Sequence, residues 1–223
     1  MQGLSVGDIV LNAIMFLPPL IFAITVHEVA HGWIAKRFGD PTAFLAGRLT
    51  LNPVKHVDPL GTIIVPIALY YLTNGQMTFG WAKPVPVAFN NLRNPRRDMV
   101  LVAAAGPASN LLMALAWSTL AAVVIAFGGL GTLPGQVIAR MCQYGIFINV
   151  LLAVFNLLPI PPLDGGRVLA GLLPPRAATV FDRIEPFGFV ILLVLLYFQV
   201  VWIFVYPPSA FFMSFFETLA GLR

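Results

Sequence analysis

The sequence predicts an all-α polytopic membrane protein with about four full transmembrane helices, a re-entrant segment and a small membrane-associated β-hairpin or sheet. Three observations lead there. Of 223 residues, 59% are hydrophobic and only 10% are charged, where a soluble domain carries about a quarter charged residues. Mean hydropathy is +0.88. Apolar runs at Ile9–Trp33, Met99–Phe127, Val137–Leu163 and Phe187–Tyr206 reach the roughly 20 residues needed to cross a hydrocarbon core of about 30 Å.

The first run follows "MQGLSVGD", which has no basic residue, and it leads into histidines without a small-residue cleavage site. It therefore reads as a mature span and not as a secretory signal. The next stretch, Lys36–Asp98, holds eight basic residues (Lys36, Arg37, Arg48, Lys55, Lys83, Arg93, Arg96 and Arg97), and the loop Asp164–Pro186 adds Arg167, Arg176 and Arg183. By the positive-inside bias both regions are expected in the cytoplasm, with the N-terminus outside. Net charge of +4 is thus an orientation signal beside spans and not a nucleic-acid patch.

Within that basic stretch, Leu60–Leu72 is an apolar run of thirteen residues, about 20 Å as a helix and too short to cross. It reads as re-entrant, or as half of a membrane-inserted hairpin. The return half is Met77–Phe89, where Pro84 and Pro86 forbid a regular helix and favour an extended edge strand. Ala46–Pro53 alternates loosely and is expected to pair with it. Non-helical backbone at membrane depth needs protein or a water-filled cavity around it. The run Val137–Leu163 is interrupted by Asn149, Asn156 and a proline cluster, and the tail Pro207–Arg223 reads either as an interfacial helix or as a last packed segment. No internal repeat or long polar stretch divides the chain, so residues 1–223 are expected to form one membrane-embedded domain. The single Cys142 excludes an intramolecular disulfide and a cysteine-only metal site.

The chemistry is concentrated in "ITVHEVAHGW" (24–33). His27 and His31 are four apart, so on a helix both rings share one face and reach a single ion. Glu28 is rotated by about 100° from His27 and is better placed to hold a water beside the metal than to ligate it. This is the H-E-x-x-H arrangement of zinc hydrolases. The bland alternative is three polar residues satisfied inside a helix bundle. In hydrocarbon each ionisable group costs at least about 2.5 kcal/mol, and a dication offsets that cost where ordinary packing does not.

A catalytic zinc takes three protein ligands, and His56, Asp40, Asp58 and Asp164 are the candidates for the third. Asp40 in "FGDPT" and Asp58 before Pro59 read as turn formers. His56 lies in a basic loop, where a solvated or phosphate-facing role suits it. Asp164 in "NLLPIPPLDGGRVL" is a carboxylate in apolar sequence followed by two glycines that permit close backbone approach. It is the best third ligand, and a helix N-cap is its structural alternative. Two crossings, Met99–Phe127 and Val137–Leu163, bring it back to the side of the histidines, provided that Leu60–Leu72 does not cross.

With "HEVAH", "GPASN" (106–110) and "NLLPIPPLDGG" (156–166) in this order, the chain resembles the site-2 protease family of intramembrane zinc metalloproteases. "GRLTLNPVKHVDPLGT" and "FGWAKPVPV" resemble its compact prokaryotic branch, which lacks PDZ and CBS domains. The resemblance covers nearly the whole chain. It implies one zinc ion per chain held by His27, His31 and Asp164, with Glu28 as catalytic base. It also implies a substrate-clamping strand that matches Phe79–Val87, with Gly80, Trp81, Pro84 and Val85 as candidate substrate contacts. Asn110 and Asn156 match polar positions of the family that contact substrate or transition state, interhelical hydrogen bonding being the alternative. The implied partners are a transmembrane protein or peptide substrate and membrane lipid, with no nucleic acid, in the inner membrane of a prokaryotic cell. A metal-binding membrane transporter and an inactive scaffold of the same fold are the rival readings. Transporters usually show duplicated halves, and this sequence shows none.

Overall fold

The computed structural model describes residues 6–74 and 80–223, and its regular structure is helical throughout. In chain order the helices are α1 (Val6–Arg37), α2 (Thr42–Leu45), α3 (Val65–Leu72), α4 (Pro95–Ala126), α5 (Leu133–Asn156), α6 (Asp164–Leu172), α7 (Pro175–Ile184), α8 (Gly188–Tyr197) and α9 (Val200–Leu219). Four of them, α1, α4, α5 and α9, are long and apolar enough to cross a membrane.

α1 is mostly apolar around His27, Glu28 and His31 and ends with Lys36 and Arg37 in its last turn, where cations complement the helix dipole. Gly39 then takes a left-handed φ of 109°, and the Asp40 N–H returns to the Ala35 carbonyl at 2.9 Å. That is a Schellman-type close, which glycine permits without strain. α5 occupies the centre and packs on α1, α4 and α9. Its Ile146, Val150 and Val154 meet Ala114 and Ala121 of α4, Leu192 of α8, and Val201, Val205 and Phe216 of α9. Small residues at these crossings let helices approach closely, which is how helices associate where lipid removes the hydrophobic incentive. The Trp117 ring covers Gly145 so closely that a Cβ there would overlap it. The Ser118 hydroxyl donates to the Phe216 carbonyl at 2.8 Å and ties α4 to α9.

Two expectations are corrected. The predicted span Phe187–Tyr206 is two helices, because α8 ends at Tyr197 and Gln199 adopts a left-handed φ of 59° before α9 begins. No glycine or proline announces this break, so a continuous apolar run conceals it. The fourth span is α9, which carries Pro207 and Pro208 in its interior. Prolines inside a membrane helix are tolerated where neighbours satisfy the freed carbonyls. The tail Pro207–Arg223 is therefore the second half of a span and not a separate interfacial helix. Leu60–Leu72 behaves as its length requires: a wide π-type turn over Pro59–Ile64 leads into α3, together about 21 Å long and short of a crossing.

The second correction concerns the β-hairpin or sheet. Among the described residues there is no strand; Met77–Phe79 lie outside them. Residues 80–88 form an extended strap, several of whose backbone groups are bonded by turns and side chains and none by a partner strand among the described residues. The Trp81 N–H donates to the Gly61 carbonyl at 3.1 Å and the Lys83 N–H to the His56 carbonyl at 2.9 Å. Thr62 Oγ1 donates to the Trp81 carbonyl and Arg48 Nη2 to the Lys83 carbonyl, at 3.0 and 2.7 Å. The Val85 and Ala88 N–H groups go to the carboxylates of Glu28 and Asp40, at 2.8 and 2.7 Å. Pro84 and Pro86 have no N–H to offer a ladder. Alternation along 81, 83 and 85 is strand-like, but turns and side chains occupy the place of a paired strand. Ala46–Pro53 runs through turns and pairs with nothing as a strand.

Candidate metal centre

α1 presents His27 and His31 to α4 and to the first turn of α6. The two Nε2 atoms are 3.1 Å apart, and Asp164 Oδ2 lies 3.2 Å from His27 Nε2 and 3.3 Å from His31 Nε2. The three side chains are only 10, 12 and 10% exposed, in that order for His27, His31 and Asp164.

Outer partners decide what these atoms are. His27 Nδ1 is 2.6 Å from Asn110 Oδ1, and His31 Nδ1 is 2.7 Å from the Val102 carbonyl. Both partners only accept, so both Nδ1 atoms carry the proton and both Nε2 atoms present lone pairs. Asp164 Oδ2 is buried and has no hydrogen-bond donor among the described residues. Three electron-rich atoms thus converge on one point, and a cation held there would offset their mutual repulsion. A zinc ion fits this donor set. A tetrahedron with ligands about 2.0 Å from the metal has edges of about 3.3 Å, close to the three separations observed.

The approach of the helices depends on missing side chains. A Cβ at Gly106 of α4 would lie on His31 Nε2 and on the His27 ring. A Cβ at Gly165 would strike the Leu157 and Leu158 carbonyls, and one at Gly166 the backbone of Ile160 and Pro161. The two glycines after Asp164 therefore let the first turn of α6 nest against the preceding turn, as expected from "LDGG".

Glu28 stands beside the pair, with Oε2 accepting the Val85 N–H at 2.8 Å. Asn110 is fully buried. Besides accepting from His27, it donates to Asn149 Oδ1 at 2.9 Å and to the Ala23 carbonyl at 3.4 Å, while Asn149 donates to the Gly145 carbonyl at 2.8 Å. This chain of amides runs from α5 through α4 to His27 on α1. Asn156 donates to the Leu152 carbonyl one turn back in α5, at 2.9 Å. Among the strap residues, Val85 reaches Glu28, Trp81 Nε1 donates to Asp58 Oδ2 at 3.2 Å, and Gly80 packs on Gly61 and Pro66, where a Cβ would not fit. Arg48 Nη2 lies 3.4 Å from the Pro84 carbonyl.

The other candidate ligands lie elsewhere. Asp40 is fully buried and accepts from Thr42 N–H, Thr42 Oγ1, Asn91 Nδ2 and Ala88 N–H. Burial raises the Asp40 pKa, but the Thr42 hydroxyl, the Asn91 amide and two backbone N–H groups outweigh it and hold the carboxyl below its ordinary value. Asp58 caps Leu60 at 3.0 Å. His56 lies 2.9 Å from the Thr50 carbonyl through Nε2. Sequence reasoning missed Gly106, Val102 and Asn149. Gly106 was visible within "GPASN", but its role appears only when α4 lies against α1.

The model of peptidase family M50 matches residues 15–198. The chain belongs to family M50, the site-2 proteases. A Bacillus subtilis relative named "Putative zinc metalloprotease YwhC" is 41% identical over 177 residues, 79% of this chain and 77% of that protein. "Putative zinc metalloprotease Rip2" of Mycolicibacterium smegmatis is 31% identical over 185 residues, 82% of this chain and 66% of that one. "Putative zinc metalloprotease MJ0611" of Methanocaldococcus jannaschii is 29% identical over 145 residues, 64% of this chain and 62% of that one. No solved structure matches. For an M50 peptidase, two imidazole nitrogens and a carboxylate oxygen are a donor set suited to zinc.

Proposed function

We propose that this chain is an intramembrane zinc endopeptidase that hydrolyses peptide bonds of transmembrane segments, within or at the edge of the bilayer. The observation that carries this reading is the convergence of His27 Nε2, His31 Nε2 and Asp164 Oδ2 in an apolar helical frame, with both histidine tautomers set by Asn110 and Val102.

His27, His31 and Asp164 are the residues to hold the metal. Bound there, zinc supplies Lewis acidity to polarise a carbonyl and makes water acidic enough to lose a proton near neutral pH. Glu28 accepts that proton and returns it to the leaving amine. The Val85 N–H occupies Oε2, which leaves Oε1 for the proton and orients the carboxylate. Asn110 holds the His27 ring in place and is a positioning residue. The strap beside Glu28 is where an unwound substrate would lie. Since Pro84 and Pro86 have no N–H, that edge would receive N–H groups from the substrate more than it would donate.

Changing Glu28 to Gln tests the reading. The variant is expected to retain one zinc per chain and to cut a helical membrane substrate about 10²–10⁴-fold more slowly. Cleavage at the normal rate by the zinc-loaded variant in detergent would remove Glu28 from the mechanism.

A further inference from the structure

Beside the strap, an open pocket of about 420 Å³ is lined by Ala46, Arg48, Val54, Lys55, Val57, Lys83 and Pro86. Three of these are cations. Arg48 is only 8% exposed, a depth at which an arginine is normally paired with a carboxylate. Here it has none. Its Nη2 holds the Lys83 and Pro84 carbonyls, at 2.7 and 3.4 Å, its Nε has no acceptor, and no carboxylate lies within ion-pair distance among the described residues. The nearby acids are already engaged: Glu28 by Val85, Asp40 by Ala88 and Asn91, and Asp58 by Leu60 and Trp81. Lys55 and Lys83 are exposed beside it.

A guanidinium buried without a counter-charge, flanked by two lysines, is a site awaiting an anion. We propose that this pocket binds the phosphate group of an anionic phospholipid. The rim identifies the source of the phosphate. Val54 is 75% exposed and Leu51 and Val57 are also exposed, on the loop that carries Lys55. Apolar side chains interleaved with cations suit the depth where headgroup meets acyl chain. Arginine takes phosphate through paired N–H groups, and lysine adds point charges. A headgroup held here would sit against the same guanidinium that fixes Lys83, two residues from the Val85 N–H on Glu28. The inference does not depend on the protease reading, since it concerns a site away from the metal ligands.

The test is native mass spectrometry of the delipidated, zinc-loaded full chain in detergent, titrated separately with phosphatidylglycerol, phosphatidylcholine and inorganic phosphate. Phosphatidylglycerol is expected to be retained more tightly than phosphatidylcholine. Each lysine near a phosphate is worth about fivefold, so Lys55→Gln with Lys83→Gln should weaken retention roughly thirtyfold, and the Lys→Arg pair should restore it. The matched pair Arg97→Gln with Arg176→Gln, outside the pocket, should change little. Arg48 itself supports the strap and its variants are open to misfolding, so the lysines carry the test. Competition by inorganic phosphate would identify the phosphoryl group as sufficient; binding of the lipid alone would add its acyl chains to the recognition. The proposal is overturned if phosphatidylglycerol does not bind or is retained no more tightly than phosphatidylcholine, if the lysine pair leaves its retention unchanged, or if the control pair weakens it equally.

Discussion

Gly106 is the residue on which both histidine rings depend. Ligands held at 3.1–3.3 Å from one another tolerate little displacement, and any Cβ at 106 would have to occupy the space of His31 Nε2 and the His27 ring. Gly106→Ala is therefore expected to weaken zinc binding by about 10–100-fold, the range typical of disturbed outer-shell support. Helical content should be maintained, because alanine is the better helix former by about 1 kcal/mol. Metal content after dialysis against a graded chelator measures the first and far-UV circular dichroism the second; zinc retained as in the parent chain would show that the rings have room to yield. The grouping of His27, His31 and Asp164 was readable, because two histidines four apart share a helix face and an even number of crossings returns Asp164 to their side. Gly106, Val102 and Asn149 were not, since each acts by contact between helices far apart in sequence, and a glycine's absent side chain leaves no pattern to read.

Among the elements, the strap differs most from expectation and its reason is a carboxylate. Asp40, which reads in sequence as a turn former, takes four hydrogen bonds, and one of them comes from the Ala88 N–H at the end of the strap. The prolines at 84 and 86 announced an extended segment correctly, but no local pattern showed that side chains would satisfy its backbone in place of a second strand. The long spans α1, α4 and α5 were legible from apolar length alone, whereas the α8–α9 break rests on one left-handed glutamine that length cannot reveal. Because the folded Asp40 carboxyl lies below its ordinary value, its ionised form stabilises the fold. That contribution is complete above the unfolded pKa of roughly 3.9 and is lost as pH falls through the lower folded value. Asp40→Asn places an amide donor against backbone N–H groups and gives up charge-assisted bonds worth about 1.5–3 kcal/mol. Thermal unfolding in detergent should show the variant less stable at pH 7 and its deficit shrinking below about pH 4. A deficit independent of pH down to acid unfolding would mean that the carboxylate charge contributes nothing.

At the scale of the whole molecule, the metal centre imposes a topology. His27 and His31 lie in the last third of α1, and α4 and α5 intervene before Asp164 at the start of α6. Two crossings return the chain to the same side, and α3 is too short to alter the parity. Eleven of the 13 basic residues fall in Lys36–Asp98 and Asp164–Pro186, so the positive-inside bias predicts the strap, the proposed phosphate pocket and α6 together on the cytoplasmic face. The turn between α4 and α5, Gly128–Thr132, is then expected outside. Cysteine labelling tests this without removing the native Cys142, which is fully buried in α5 and should stay silent. A membrane-impermeant maleimide is expected to label Gly131→Cys in intact spheroplasts, and Lys55→Cys and Arg176→Cys only after the membrane is opened. Labelling of Lys55→Cys and Arg176→Cys from opposite faces would break the parity on which the metal site rests. Labelling of both from outside would keep the site and invert its orientation.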